Sequence, residues 1–294
     1  MSFRKKLLSG KFTVTAEISP PKGTDISGMM KEARTIKDAV DAFSVTDNQR
    51  AIMRMSPLAA CSALSREGLE TIMHLTCRDR NRLALQSELL GAAFLGIKNV
   101  VVMSGDHPTK GDHPGSKPVY DLDSVQLLDM ISRLNSGVDI SGNGLEGKTE
   151  FFAGAVSNTE LTGAALMKLE KKIKAGAQFI ITQAVFDAGK FSEFRDKVHD
   201  ACGKQIKIIA GIIPLRSEKS ALFLNKNIAG VKVPDEVIRR ITAAGNPEAV
   251  GPESAGIEIA AELIKELRGV CDGVHIMPIG THKNTGKILE MAGI

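Results

Sequence analysis

Four residues stand out for the chemistry they could do. Glu17, Thr46, Asp106 and Gln183 each lie in or at the end of a short hydrophobic run, in Phe12–Ser19, Ala42–Asp47, Asn99–Asp106 and Phe179–Asp187. An ionised carboxylate among apolar and β-branched residues is costly. Burial would raise the pKa of Glu17 and hold it protonated for general-acid work near neutral pH, although a structural ion pair would also account for it. Asp106 follows Gly105, which lets a planar ligand come close to the backbone while the carboxylate orients it; capping a helix is the plainer use. Gln183 carries two donors and an acceptor, enough for a bidentate contact with the amide edge of a heterocycle or for a satisfied place in a core.

Further candidates are weaker. His74 sits in Met73-His-Leu-Thr-Cys77 on an apolar run, where a ligand contact and a satisfied core histidine are both open. His107 and His113 repeat an Asp-His-Pro pattern with Asp106 and Asp112, a spacing that matches no strong metal signature, so no metal is expected. Lys168, Lys171, Lys172 and Lys174 form either a solvated helix face or a contact for phosphate oxygens. The four cysteines, Cys61, Cys77, Cys202 and Cys271, are far apart and read as reduced core thiols.

These side chains need a frame that brings them together. The 294 residues contain eight short hydrophobic runs, the other four being Thr71–Cys77, Phe151–Asn158, Ile206–Pro214 and Gly273–Gly280. Between them lie amphipathic stretches at helical spacing, among them Ser56–Glu67, Arg80–Leu95 with Leu83, Leu85, Leu89, Leu90 and Ala93, Ser124–Leu134, Thr162–Ala175, Lys190–Ala201, Ser217–Ile228 and Ser254–Arg268. Strands alternating with helices predict parallel pairing by right-handed crossovers. Eight such units predict an α/β fold, a (β/α)8 TIM barrel forming one domain over 1–294, with a doubly wound open sheet as the other arrangement. In a barrel, residues at the C-terminal ends of the strands converge on one rim. Two connections exceed what a barrel needs: a Pro/Gly-rich loop after strand four, Asp106–Tyr120, and the segment Ala229–Ala255, predicted to add helices before strand eight.

Composition narrows the classes. At 43% hydrophobic and 24% charged the chain suits a soluble globular protein. A net charge of +4 with dispersed basic residues, no Trp and one Tyr argues against nucleic acid. No apolar run is long enough for a membrane span or a signal peptide, and the expected location is the cytoplasm.

Taken together, Ala16-Glu-Ile-Ser-Pro-Pro-Lys22, Phe43-Ser-Val-Thr46, Met73-His-Leu-Thr-Cys77, Ser104-Gly-Asp106, Lys174-Ala-Gly-Ala177, Ile181-Thr-Gln-Ala-Val-Phe-Asp187 and Gly211-Ile-Ile-Pro214 resemble, in order, the methylenetetrahydrofolate reductases. The resemblance implies a flavin-dependent barrel that reduces 5,10-methylenetetrahydrofolate to 5-methyltetrahydrofolate. By motif, Glu17 would be the general acid that opens the imidazolidine ring, Asp106 would lie beside flavin and pterin, and Gln183 would bond the pterin. Thr46, His74, Ser104, Gly105, Asp106 and Tyr120 match flavin-contacting positions, and Lys171 and Lys172 match a basic helix near the flavin's phosphates. The flavin would be FAD in preference to FMN.

The chain departs from the better-known bacterial members at three rim positions: Val156-Ser-Asn158 after strand five, Leu215-Arg-Ser-Glu218 after strand seven, and Pro278-Ile-Gly-Thr-His-Lys283 after strand eight, where His282 or Lys283 would replace an Arg for the folate tail. The pattern is closer to reductases of anaerobic one-carbon metabolism. It implies an oligomer, with electrons from NAD(P)H or from a zinc- or iron–sulfur-containing subunit. Two rival readings follow from the same motifs: a pterin-binding methyltransferase with a corrinoid partner, and a non-catalytic folate-binding subunit.

Overall fold

Each strand hydrogen-bonds to the next in sequence order and the eighth returns to the first, so the parallel sheet closes without an edge. The computed structural model describes residues 1–228, 230–244, 251–280 and 282–294. The strands are β1 Thr13–Ile18, β2 Ala42–Val45, β3 Thr71–Thr76, β4 Asn99–Met103, β5 Phe152–Ser157, β6 Phe179–Ala184, β7 Lys207–Ile212 and β8 Gly273–Ile276. The helices are α1 Phe3–Leu8, α2 Ser27–Ile36, α3 Pro57–Arg66, α4 Arg82–Phe94, α5 Ser124–Asn135, α6 Gly163–Lys174, α7 Ala188–Cys202, α8 Glu218–Asn227, α9 Asp235–Ala243, α10 Pro252–Leu267 and α11 Thr285–Met291.

The barrel expectation holds, with refinements. Strand ends fall short of the hydrophobic runs, so Thr46 lies just beyond β2 and Asp106 in a turn beyond β4. Helix α9 fills part of the Ala229–Ala255 segment as expected; Ala229 and Gly245-Asn-Pro247 lie outside the described residues. On α4 the buried stripe is Leu85, Leu89 and Ala92, whereas Leu83 and Leu90 face outward, because the apolar residues of this helix outnumber what one core face accepts. Among the described residues no helix is long and apolar enough to cross a membrane. Cys61 and Cys77 are core residues, while Cys202 and Cys271 are only partly covered.

Helix α1 was not legible as an element because it is six residues long and basic. Its Phe3 and Leu7, one turn apart, are fully buried and plug the N-terminal mouth of the barrel. The Phe3 ring meets Phe152 and Phe179 edge-on at 5.9 and 5.4 Å, and those two stack at 4.9 Å. Gly154 is required there, since a Cβ would lie 2.4 Å from the Phe179 ring.

Alternation along the strands turns one set of residues into the barrel and the other toward the helices. The interior is divided by chemistry. From β4 to β7 it is apolar, with Val101, Phe152, Phe179, Ile181 and Ile209. On β8, β1, β2 and β3 it is polar: the Thr15 hydroxyl meets His275 Nδ1 at 2.9 Å, and the Ser44 hydroxyl meets His74 Nε2 at 2.6 Å. Burial pushes His74 down to about 4, against the pull of Asp47. Burial, with His74 and His282 nearby, pushes His275 down to about 3.

Both imidazoles are therefore neutral in the folded protein at pH values where the unfolded chain would protonate them. Their contribution to stability is full above about pH 6.5 and is lost as pH falls toward 4 and 3, each histidine contributing on the order of a few kcal/mol. Thermal melting between pH 7.5 and 4.5 should show this decline, with a shallower slope in His275→Gln. Equal slopes in the two proteins would remove His275 as a source.

Candidate active site

Glu17 is the last inward-facing residue of β1, and Pro20-Pro21 directly after it turn the chain away from the ladder. Burial pushes its carboxyl up to about 7, and a hydrogen bond from Gln49 pulls in the other direction. Gln49 Nε2 donates to Glu17 Oε1 at 2.8 Å, and among the described residues no cation pairs with the carboxyl. The ion-pair reading of Glu17 has no support in this arrangement; burial without a cation is what raises the carboxyl toward neutrality.

The backbone of Glu17 is fixed from the far side of the closure. His282 Nε2 donates to the Glu17 carbonyl, its Nδ1 accepts from the Thr285 hydroxyl at 2.9 Å, and its backbone N–H donates to Glu32 at 2.6 Å. His282 is 2% exposed, so it does not serve as the folate-tail contact that the sequence offered. Lys283 is exposed but lies 3.0 Å from Glu253, which also has Arg216 at 3.8 Å.

Gln49 belongs to a strap, Asn48–Ala51, that follows Asp47. Asn48, Arg50 and Ala51 have φ of 45°, 58° and 56°, left-handed values that cost about 1 kcal/mol or more for a residue other than glycine. A buried charge cluster beneath sets the strap's position. The Asp47 carboxylate accepts from Thr76 N and Oγ1, both at 2.9 Å, and from two nitrogens of Arg80 at 2.8 and 3.2 Å. Arg78, whose side chain is 2% exposed, pairs with Asp79 and donates to the carbonyls of Asn48 and Asp106, each at 3.2 Å. One guanidinium thus ties the turns after β2, β3 and β4 together.

The long connection after β4 lies on this base. Asp112 accepts from Lys22, from Met53 N at 3.0 Å and from His113 Nδ1 at 2.8 Å, which holds its carboxyl well below the usual range. His107 Nδ1 is engaged by Thr109 at 2.8 Å, and among the described residues no three His, Cys, Asp or Glu converge as a metal set. Gly105 has φ of 84°, and a Cβ there would lie 3.1 Å from Thr76 and 3.3 Å from Arg78. That glycine lets the Ser104-Gly-Asp106 turn lie flat on the rim. Asp106 caps no helix: its carboxylate is about half exposed, with Lys110 at 4.0 Å. The Tyr120 hydroxyl donates to the Gly105 carbonyl at 3.2 Å, closing the loop back onto the turn.

Thr46 is buried, its hydroxyl 3.4 Å from Ser19, and His74 lies one layer below the rim on Ser44. Gln183 is half-buried, and its side chain has no hydrogen bond among the described residues, unlike a satisfied core glutamine. A register shift between β6 and β7 falls at this residue: Thr182 Oγ1 donates to the Gln183 carbonyl at 2.8 Å and accepts from Gly211 N at 3.0 Å. Such irregularities re-aim side chains beside active sites.

Lys171 and Lys172 separate clearly. Lys171 is exposed, whereas Lys172 is turned inward, 9% exposed, and donates to the Val156 carbonyl at 2.7 Å. Burial and neighbouring Lys168 push its ammonium down to about 8. Among the described residues no carboxylate pairs with it, so a buried cation with donors to spare stands at the end of β5. A buried ammonium with free donors is suited to a phosphate oxygen.

A profile of the family described as Methylenetetrahydrofolate reductase matches residues 2–293. The chain belongs to the methylenetetrahydrofolate reductase family. It is 29% identical over 270 residues to the 5,10-methylenetetrahydrofolate reductase of Pectobacterium carotovorum subsp. carotovorum, covering 88% of this chain and 83% of that one. The reductase of Salmonella typhimurium is 28% identical over 271 residues, with the same coverage of 88% and 83%. Methylenetetrahydrofolate reductase 2 of Schizosaccharomyces pombe is 26% identical over 231 residues, and there the chain spans only 35% of the relative. A protein from Clostridium thermocellum, described as binding two copies of 5-methyl-5,6,7,8-tetrahydrofolic acid, superposes with a TM-score of 0.69 at 16% identity, covering 98% of this chain and 96% of that one, which shows the shared fold.

Within this methylenetetrahydrofolate reductase barrel, Glu17, Thr46, Ser104, Gly105, Asp106, Tyr120 and Gln183 lie at one rim and His74 just under it, whereas Lys171 lies on the outer face of α6. Sequence reasoning gave no role to Gln49, Asp47, Arg78 or Arg80, and gave His282 the folate tail where it instead holds the Glu17 carbonyl. The signals were present in the polar run Asp47–Arg50 after β2 and the charged triplet Arg78-Asp79-Arg80 after β3. Polar residues bunched where a barrel strand ends belong to the rim.

Proposed function

We propose that the protein reduces 5,10-methylenetetrahydrofolate to 5-methyltetrahydrofolate, with Glu17 as the general acid. The observation that carries this reading is the Glu17 carboxyl: at the end of β1, free of any cation among the described residues, and pushed up to about 7. Opening the imidazolidine ring breaks the bond between the methylene carbon and N10, and N10 leaves only if it gains a proton. A carboxyl near neutrality can supply it, the best range for an acid at neutral pH. The ring opening leaves an iminium carbon ready for hydride.

When bound, a flavin, FAD in preference to FMN, would supply that hydride. Lys172 would hold its phosphate end, and the Ser104-Gly-Asp106 turn, Thr46 and Tyr120 would contact the rest of it. Asp106, with its exposed carboxylate, would orient the pterin from one side and Gln183 would bond its amide edge from the other. Electrons come from NAD(P)H or a partner redox subunit. In Leu215-Arg-Ser-Glu218, directly after β7, there is no aromatic to stack on a nicotinamide: Leu215 is buried, and Arg216 donates to the Ile279 carbonyl at 3.1 Å, which favours the subunit. An oligomer working in the cytoplasm completes the reading.

The purified protein should be yellow, with an absorption spectrum of bound flavin. Once chemically reduced, it should regain its colour on anaerobic mixing with methylenetetrahydrofolate. A folded protein that binds neither flavin nor folate would overturn this function.

A further inference from the structure

The strap Asn48–Ala51 is held by more contacts than a surface turn needs. Arg78 donates to the Asn48 carbonyl at 3.2 Å, and Arg54 N donates to the Asn48 side chain at 2.9 Å. Gly111 packs so closely that a Cβ would lie 1.8 Å from the Ala51 carbonyl oxygen. The Arg50 guanidinium sits over the Phe223 ring at 5.4 Å, which reaches α8 beyond β7 and anchors the strap at its far end. Left-handed backbone at three residues persists only where the surroundings over-determine it. The residue so delivered is Gln49, itself exposed, whose Nε2 donates to Glu17 Oε1 at 2.8 Å while its Oε1 accepts from the Ser19 hydroxyl at 3.5 Å.

We propose that Gln49 is a positioning residue for Glu17, fixing Oε1 as the acceptor oxygen and so assigning the acid proton to Oε2. This rests on Glu17 being the general acid. A protonated carboxyl has one oxygen that accepts and one that donates, and the Gln49 amide N–H can only donate. With Oε1 occupied by that donor, the proton resides on Oε2, which has no hydrogen-bond partner among the described residues. As the proton passes to the substrate nitrogen, the Gln49 bond becomes one to a carboxylate, which is shorter and stronger. Gln49 therefore favours release of the proton, while burial favours its retention.

The test is the pH profile of kcat for methyltetrahydrofolate formation by the holoenzyme with a small-dye reductant. The alkaline limb of kcat reports the acid in the substrate complex. Gln49→Met keeps the length and removes the donor; its limb should move up by about one pH unit, with kcat at pH 6 falling about tenfold and KM little changed. Gln49→Lys restores a donor with a charge and should move the limb below that of wild type. Phe223→Ala, which leaves Gln49 in place but frees the strap, should move it upward by less.

Glu17→Gln, run alongside, separates the two ideas. If it turns over as wild type does, the acid assignment fails. If it is inactive while Gln49→Met and Phe223→Ala keep the wild-type limb and kcat, the acid stands and the role of Gln49 is overturned. Should Gln49→Met fail to fold, Gln49→Lys and Phe223→Ala decide the matter by the opposite signs of their shifts.

Discussion

Replacing Glu17 with glutamine should lower methyltetrahydrofolate formation by about 10²–10⁴-fold and at the same time raise the melting temperature above pH 7. The first effect follows from losing the proton donor while its shape is kept; methyltetrahydrofolate binding should change little. The second follows from linkage. Burial holds the carboxyl up to about 7 in the folded protein, while in the unfolded chain it ionises near 4.5. Between those values the folded state binds more protons than the unfolded state, so stability falls as pH rises through that window. Above it, the whole cost is felt, on the order of 3 kcal/mol at about 1.4 kcal/mol per pH unit. Glutamine has no such cost. Melting curves at pH 5 and pH 8 should therefore diverge: near-equal temperatures at pH 5, the variant higher at pH 8. A variant that is inactive and also less stable at pH 8 would mean that the carboxyl serves the fold and not the reaction.

That opposition explains why Glu17 was legible from sequence. A carboxylate in a strand whose neighbours are Val14, Ala16 and Ile18 breaks the local pattern, and functional sites are where such breaks are tolerated. The barrel was legible for a related reason: eight apolar runs separated by amphipathic stretches admit few closures. Gln183 was visible as an amide in an apolar run, though not the register shift that aims it, because pairing between β6 and β7 is a tertiary property. Gln49 was given no role in that way, and His282 was given the wrong one. Gln49 acts through a strained strap whose φ angles its sequence does not announce, and His282 reaches Glu17 across the closure between β8 and β1, a separation of 265 residues. Lys171 and Lys172 show the same limit at one helix: adjacent and identical in type, they differ only in which face of α6 meets the core.

Asp47→Asn should cost about 3–5 kcal/mol of stability, lowering the melting temperature by about 5–15 °C, and weaken folate binding well below that temperature. The Asp47 side chain is fully buried and all four of its hydrogen bonds come from donors: Thr76 N, Thr76 Oγ1 and two nitrogens of Arg80. An asparagine must turn its own NH2 toward one of them, and the Arg80 guanidinium loses its close partner and is left with Glu88 at 3.9 Å. Breaking one partner of a buried pair costs more than removing both, because the remaining charge stays desolvated. Asp47→Val with Arg80→Met should therefore recover part of the loss seen in either single variant, leaving the unpaired Thr76 N–H as the residue of the cost. The effect on binding follows from the packing above Thr76. Gly105 rests on that side chain closely enough that a Cβ would be 3.1 Å away, so a displaced Thr76 moves the turn that presents Asp106. Calorimetry paired with a methyltetrahydrofolate titration reads both. If Asp47→Asn melts with wild type, the cluster carries no stability; if it melts early but binds folate normally at low temperature, the cluster supports the barrel without shaping the site.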